Sequence, residues 1–180
     1  MALGSTIYKL KIALSDLDRQ RYETLGLTVA QHPSETLERM MSRVLVYCLN
    51  AEENLAFGKG LSSDDEPDIW LRTLDSRTAL WIEVGEPTFE RVKKATHVAQ
   101  AVKVYSFNTR ADVWWNQGEP KFSKLDAEFF RLDWADVQAL AQLVQRNMDL
   151  SITISDASAF VADQKSGLEV HWKILHQKTD

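Results

Sequence analysis

Two carboxylates, Asp68 and Glu83, stand on segments that read as neighbouring β-strands. Ile69, Leu71 and Thr73 alternate with Trp70, Arg72 and Leu74, and residues 80–84 are strand formers that end at Gly85. If the segments pair through a two-residue loop at Asp75-Ser76, Asp68 lies opposite Glu83. With a four-residue loop over residues 75–78, Asp68 faces Gly85 and Glu83 is its diagonal neighbour on the same face. Both registers bring the acids together. Adjacent carboxylates repel unless a proton or a cation lies between them, and hard oxygen donors suit Mg²⁺ or Mn²⁺. The pair is therefore a candidate metal site.

Glu38 is the third acid considered. Pro33 and Ser34 open a helix expected to run to about Asn50, with Ser34 capping its free amides and Leu37, Met41, Val44 and Cys48 on one face. Glu38 falls at the edge of that apolar stripe, beside Leu45 and Leu49, while Glu35 turns further toward water. Pro87 and Thr88 open a second helix carrying Lys93 and Lys94. A lysine near a phosphate on the metal orients water or stabilises charge developing in the transition state, so both enter the candidate catalytic set with Asp68 and Glu83. Plainer readings stand beside these: strand-end ion pairing for the two acids, an arginine partner for Glu38 and a solvated helix face for the lysines.

Other chemistries lack their residues. Four histidines show no zinc-ligand spacing, and His97 reads as surface or as support for the cleft. Gly58-Lys59-Gly60 lacks the spacing of a nucleotide-binding loop. Cys48 sits among apolar helix residues and reads as an inert thiol. Trp70 and Trp81 share the carboxylate face, where stacking on bases and plain packing are both open. Trp114 and Trp115 are equally ambiguous.

The elements that position these residues follow from periodicity. Tyr8, Leu10, Ile12 and Leu14 alternate with polar residues, as do Leu25, Leu27 and Val29, giving a hairpin turned at residues 15–18. Residues 55–57 are a short strand and residues 102–107 another. Between residues 34 and 107 the order is thus helix, three strands, helix, strand. Beyond lie a short helix carrying Trp114 and Trp115, a strand over 129–132 and helical spacing over 133–147. An antiparallel meander over 150–154, 159–161 and 168–172 closes the chain. The fold class is α/β (α+β), in a single domain over residues 1–180.

Composition bounds the function. At 44% hydrophobic and 26% charged over 180 residues, the chain is globular and long enough for one substantial core. The lone cysteine excludes a disulfide scaffold and favours the cytoplasm. The longest apolar run, residues 44–49, is too short to span a bilayer, so no membrane partner is expected. Twenty-one basic against 26 acidic residues give a net charge of −5, which argues against tight unaided binding to DNA but leaves room for a local basic strip. Oligomeric state is not readable.

The sequence resembles the YaeQ family of bacterial proteins, assigned to the PD-(D/E)XK nuclease-like superfamily as a divergent member. The resemblance covers essentially the whole chain. It is densest in His32-Pro33-Ser34-Glu35-Thr36-Leu37-Glu38-Arg39-Met40-Met41, Phe57-Gly58-Lys59-Gly60-Leu61, Asp64-Asp65-Glu66-Pro67-Asp68-Ile69-Trp70, Trp81-Ile82-Glu83-Val84-Gly85 and Arg91-Val92-Lys93-Lys94-Ala95. It implies a nuclease-like core over about residues 34–107, extended by antiparallel strands from both termini, with Mg²⁺ or Mn²⁺ on Asp68, Glu83 and Glu38 and a nucleic acid substrate, DNA or RNA. Ordinary superfamily members carry an acid-x-lysine triplet at the end of the strand assigned to Glu83; here Gly85 takes the lysine's place. Either Lys93 or Lys94 supplies the charge from the helix, or the fold persists without its reaction as a binding or regulatory protein of nucleic-acid or protein machinery.

Overall fold

The computed structural model describes residues 4–179. In chain order its elements are β1 (Thr6–Asp16), β2 (Arg21–Gln31), α1 (Leu37–Leu49), β3 (Leu55–Phe57), β4 (Ile69–Arg72), β5 (Thr78–Val84), α2 (Phe89–Val98), β6 (Ala99–Ser106), α3 (Ala111–Phe122), β7 (Glu128–Leu132), α4 (Trp134–Ala141), β8 (Asn147–Ser155), β9 (Ser158–Ala162) and β10 (Gly167–His176). A 3-10 turn covers Gly60–Ser62. The protein is a mixed α/β chain, mostly strands, and the helix, three-strand, helix, strand order runs from α1 to β6. The residues cluster into two compact units, one drawn from residues up to Leu49 and Asp133–Trp172, the other from Asn50–Leu132 and residues from Lys173 onward. The stretch 34–107 therefore contributes its first helix to one unit and its strands and second helix to the other.

In the first unit, β1 and β2 pair antiparallel with Tyr8 opposite Val29 and Ile12 opposite Leu25. Tyr8, Leu10, Ile12 and Leu14 are buried on one face, while Lys9 and Lys11 point to solvent, as period-two alternation requires. The Asp16 carboxylate holds the turn by accepting from the Asp18 and Arg19 amides at 3.1 Å each. β8 runs parallel to β1, and β9 and β10 complete the expected meander. Two expectations change. The cap of α1 is Thr36, whose Oγ1 accepts from the Arg39 amide at 3.1 Å, not Ser34. The helix expected over 133–147 ends at Ala141, because the chain loosens into single turns from Leu143 and pairs with β1 from Asn147.

In the second unit, β3, β4 and β5 are antiparallel neighbours, and β6 and β7 continue the sheet parallel to β5. Trp81, Val102, Val104 and Phe129 form one face and pack against Val92 and Ala95 of α2 and Phe122 of α3. Trp114 and Trp115 lie against this core, with Trp115 stacked on Phe122 at 6.0 Å, so these tryptophans serve packing. The N-terminal end of α2 thereby stands beside the end of β5 that carries Glu83.

Candidate functional site

Ile69 pairs with Ile82 and Trp70 with Trp81, a register that continued by one residue sets Asp68 opposite Glu83. This is the first of the two registers read from the sequence. The connecting turn is longer than two residues: the Thr73 amide donates to the Arg77 carbonyl at 2.9 Å, and a bulge between Leu71 and Arg72 absorbs the extra length. The two acids are among the most enclosed polar residues of the unit, with 1% and 5% of their surface exposed.

Each carboxylate is aimed by its own strand environment. The Val84 amide donates to Asp68 Oδ2 at 2.8 Å. Trp81 Nε1 and Arg91 Nε both donate to Glu83 Oε1, at 2.9 and 2.7 Å. Gly60, at φ +49°, lies so close to Asp68 that a Cβ there would meet Oδ1 at 2.5 Å. A Cβ there would force the buried Asp68 carboxylate to shift, and the left-handed φ adds to the preference for glycine. The Glu83 carboxyl is pushed up to about 7, first by burial and next by the charge of Asp68, against the downward pull of Arg91 and Trp81.

Arg91 opens one of the segments that carry the family resemblance but is not among the candidate site residues read from the sequence. It lies in the first turn of α2, where Thr88 Oγ1 accepts from its amide at 3.3 Å. From there its guanidinium reaches Glu83 and also donates through Nη1 to the Asp64 carbonyl at 3.2 Å and through Nη2 to the Glu66 carbonyl at 3.0 Å. The two lysines of the candidate set are exposed. Lys94 Nζ pairs with Asp65 at 3.3 Å, and Lys93 Nζ lies 6.0 Å from the centre of the Phe89 ring. Gly85, in the place of the triplet's lysine, adopts φ +127° and donates its amide to the Tyr105 carbonyl at 2.8 Å.

Glu38 is half-buried on α1, in the other unit. Among the described residues no three His, Cys, Asp or Glu side chains cluster as a metal set. Glu35, expected to face water, is instead buried and bonded to Arg39 and to Arg43, whose Nε and Nη2 donate to it at 2.8 and 2.6 Å. It precedes the first helical residue, so helical phase does not set its direction. Cys48 is fully enclosed, and burial pushes its thiol up to about 12, which leaves it inert at neutral pH.

A mixed α/β protein with two buried carboxylates on adjoining strands and an arginine from the following helix is the class that fold and site define. The model of the YaeQ protein family matches residues 1–172, and the chain belongs to that family. It is 41% identical over 172 residues to the uncharacterized protein YaeQ of Salmonella typhi, covering 94% of this chain and 95% of the relative. To the Escherichia coli K12 protein of the same name it is 41% identical over 175 residues, covering 95% and 96%. The crystal structure of YaeQ protein from Xanthomonas axonopodis pv. citri superposes with a TM-score of 0.93 at 32% identity, covering 97% of this chain and 99% of that one. That of YaeQ protein from Pseudomonas syringae gives 0.91 at 35% identity, covering 97% of each. No helix among the described residues is long and apolar enough to cross a membrane.

Proposed function

We propose that this protein is a divergent PD-(D/E)XK nuclease-like phosphodiesterase that holds Mg²⁺ or Mn²⁺ on Asp68 and Glu83 and acts on nucleic acid. One observation carries the reading: two buried carboxylates, Asp68 and Glu83, face one another on one sheet face, and Arg91 is paired with Glu83. The donor set is hard oxygen, and two buried carboxylates this close repel unless a proton or a cation lies between them, so the residues fit a divalent ion. When bound, the ion supplies a nucleophile at neutral pH and draws electron density from the scissile phosphodiester. The chain's own part is to aim the donors. Val84 fixes the Asp68 carboxylate, Trp81 and Arg91 fix Glu83, and Lys93 or Lys94 neutralises phosphate charge from the solvent side of α2. Loss of the working lysine is expected to slow cleavage by roughly 10²–10³.

Mixed DNA and RNA substrates incubated with Mn²⁺ test this. Cleavage by wild type that disappears in the Asp68→Ala/Glu83→Ala double variant supports the reading, and cleavage that persists equally in both marks a contaminant and removes it. No cleavage in either favours a second reading, a nuclease fold kept as a binding or regulatory protein. Gly85 supports that alternative: its positive φ would strain any lysine placed where the superfamily triplet carries one.

A further inference from the structure

We infer that Arg91 is a positioning residue that competes with the divalent cation for Glu83 and latches the 58–67 segment against the acid pair, so that cation binding and release of this segment are one event. The inference rests on the metal reading of Asp68 and Glu83. A guanidinium is a rigid planar fork whose donors cannot move independently. Here one fork spans the site and the segment: Nε serves Glu83, while Nη1 and Nη2 serve the Asp64 and Glu66 carbonyls. A movement that takes Nε off Glu83 must therefore disturb the other two bonds.

A divalent ion arriving at the Glu83 carboxylate meets a full positive charge already hydrogen-bonded to it. Like charges a few ångströms apart in a poorly solvated setting repel strongly, so ion and guanidinium exclude one another. Apart from the Gly58 amide, which donates to the Asp68 carbonyl at 3.0 Å at the segment's start, the latched segment is mostly exposed. Leu61, Asp64 and Asp65 are exposed, and burial begins only at Pro67. Its other side-chain tie to α2, Lys94 to Asp65, is an exposed pair that contributes little. Inside the segment the Lys59 amide donates to Glu66 Oε2 at 2.9 Å and the Gly60 amide to the Pro67 carbonyl at 3.2 Å, both of which can travel with it. Segments with few buried contacts open locally at small cost. Gly60 makes the seat specific, because its bare Cα is what lets the segment close on Asp68.

Coupling of this kind is reciprocal: the factor by which the cation favours the open segment equals the factor by which opening favours the cation. Amide hydrogen exchange over residues 58–67 and Mn²⁺ calorimetry, on wild type, Arg91→Ala and Arg91→Lys, measure both sides. Without metal, exchange is expected to be slow in wild type, fast in Arg91→Ala and intermediate in Arg91→Lys, which keeps the charge but loses the fork. Saturating Mn²⁺ should speed wild-type exchange by about tenfold, and Arg91→Ala should bind Mn²⁺ tighter by about the same factor. Mn²⁺ binding that leaves wild-type exchange unchanged, or that is no tighter in Arg91→Ala, overturns the inference while the metal site stands. No Mn²⁺ binding in any of the three proteins removes the metal site and the competition together.

Discussion

At the start of α1 one buried carboxylate is paired with two guanidiniums; at the end of β5 two buried carboxylates face one another, and one of them is paired with a guanidinium. Glu35 is gripped by Arg39 and Arg43, and Arg43 Nη2 donates also to the Ala30 carbonyl at 2.9 Å. Glu83 is paired with Arg91, which spends two of its donors on loop carbonyls, and Asp68 accepts from the Val84 amide. Both clusters are buried, so composition decides their roles. In the first, ion pairs and hydrogen bonds from both arginines hold the single acid: it behaves as a clamp on the chain entering α1. In the second, burial and the neighbouring Asp68 charge drive one acid toward the neutral form. Such a mutually repelling acid pair is what the proposed cation site draws on.

The sharpest way to break the contrast is to remove the clamp's acid. Glu35→Ala strands Arg43 in a buried position, and the expected loss of stability is about 3–5 kcal/mol in urea unfolding. A loss below about 1 kcal/mol would place Glu35 among the weak surface pairs instead.

Titration of the second cluster should move stability by a smaller amount and in a defined direction. Glu83 is raised from 4.5 to about 7. Between these values the folded protein holds a proton that the unfolded chain has released, so stability falls as pH rises through the window and levels off above it. The fall is at most roughly 3 kcal/mol. Glu83→Gln should flatten this part of the profile, and an unchanged profile would disconnect Glu83 from it.

Gly85→Lys restores the triplet in sequence but not in geometry. A lysine forced to φ +127° should destabilise the protein by about 1–3 kcal/mol and yield no increase in cleavage rate. Smaller still, Trp81→Phe removes one donor from Glu83 and should cost about 1 kcal/mol while raising the Glu83 titration point further, readable by carboxyl NMR.

Much of this arrangement was legible in the sequence. Period-two alternation placed β1, β2 and β4, strand-former content placed β5 and the closing meander, and strand register brought Asp68 to Glu83. What escaped reading depended on reach across the fold. Arg91 is found at Glu83 because a long planar side chain extends from the first turn of α2, a reach that strand and helix periodicity do not encode. Its signal was its place: three residues after the Thr88 cap, beside the strand end that carries Glu83. Glu35 was misdirected because helical phase was applied from Ser34, whereas the helix is capped at Thr36 and Glu35 folds back onto later turns. The length of α4 escaped because the pairing of β8 with β1 overrides local helical spacing.

The most direct test is a crystal of this protein soaked in Mn²⁺ and measured for anomalous scattering. The account predicts a peak at the Asp68 and Glu83 carboxylates with the Arg91 guanidinium moved off Glu83. A site without a peak, with Arg91 still bonded to Glu83 at saturating Mn²⁺, would contradict it.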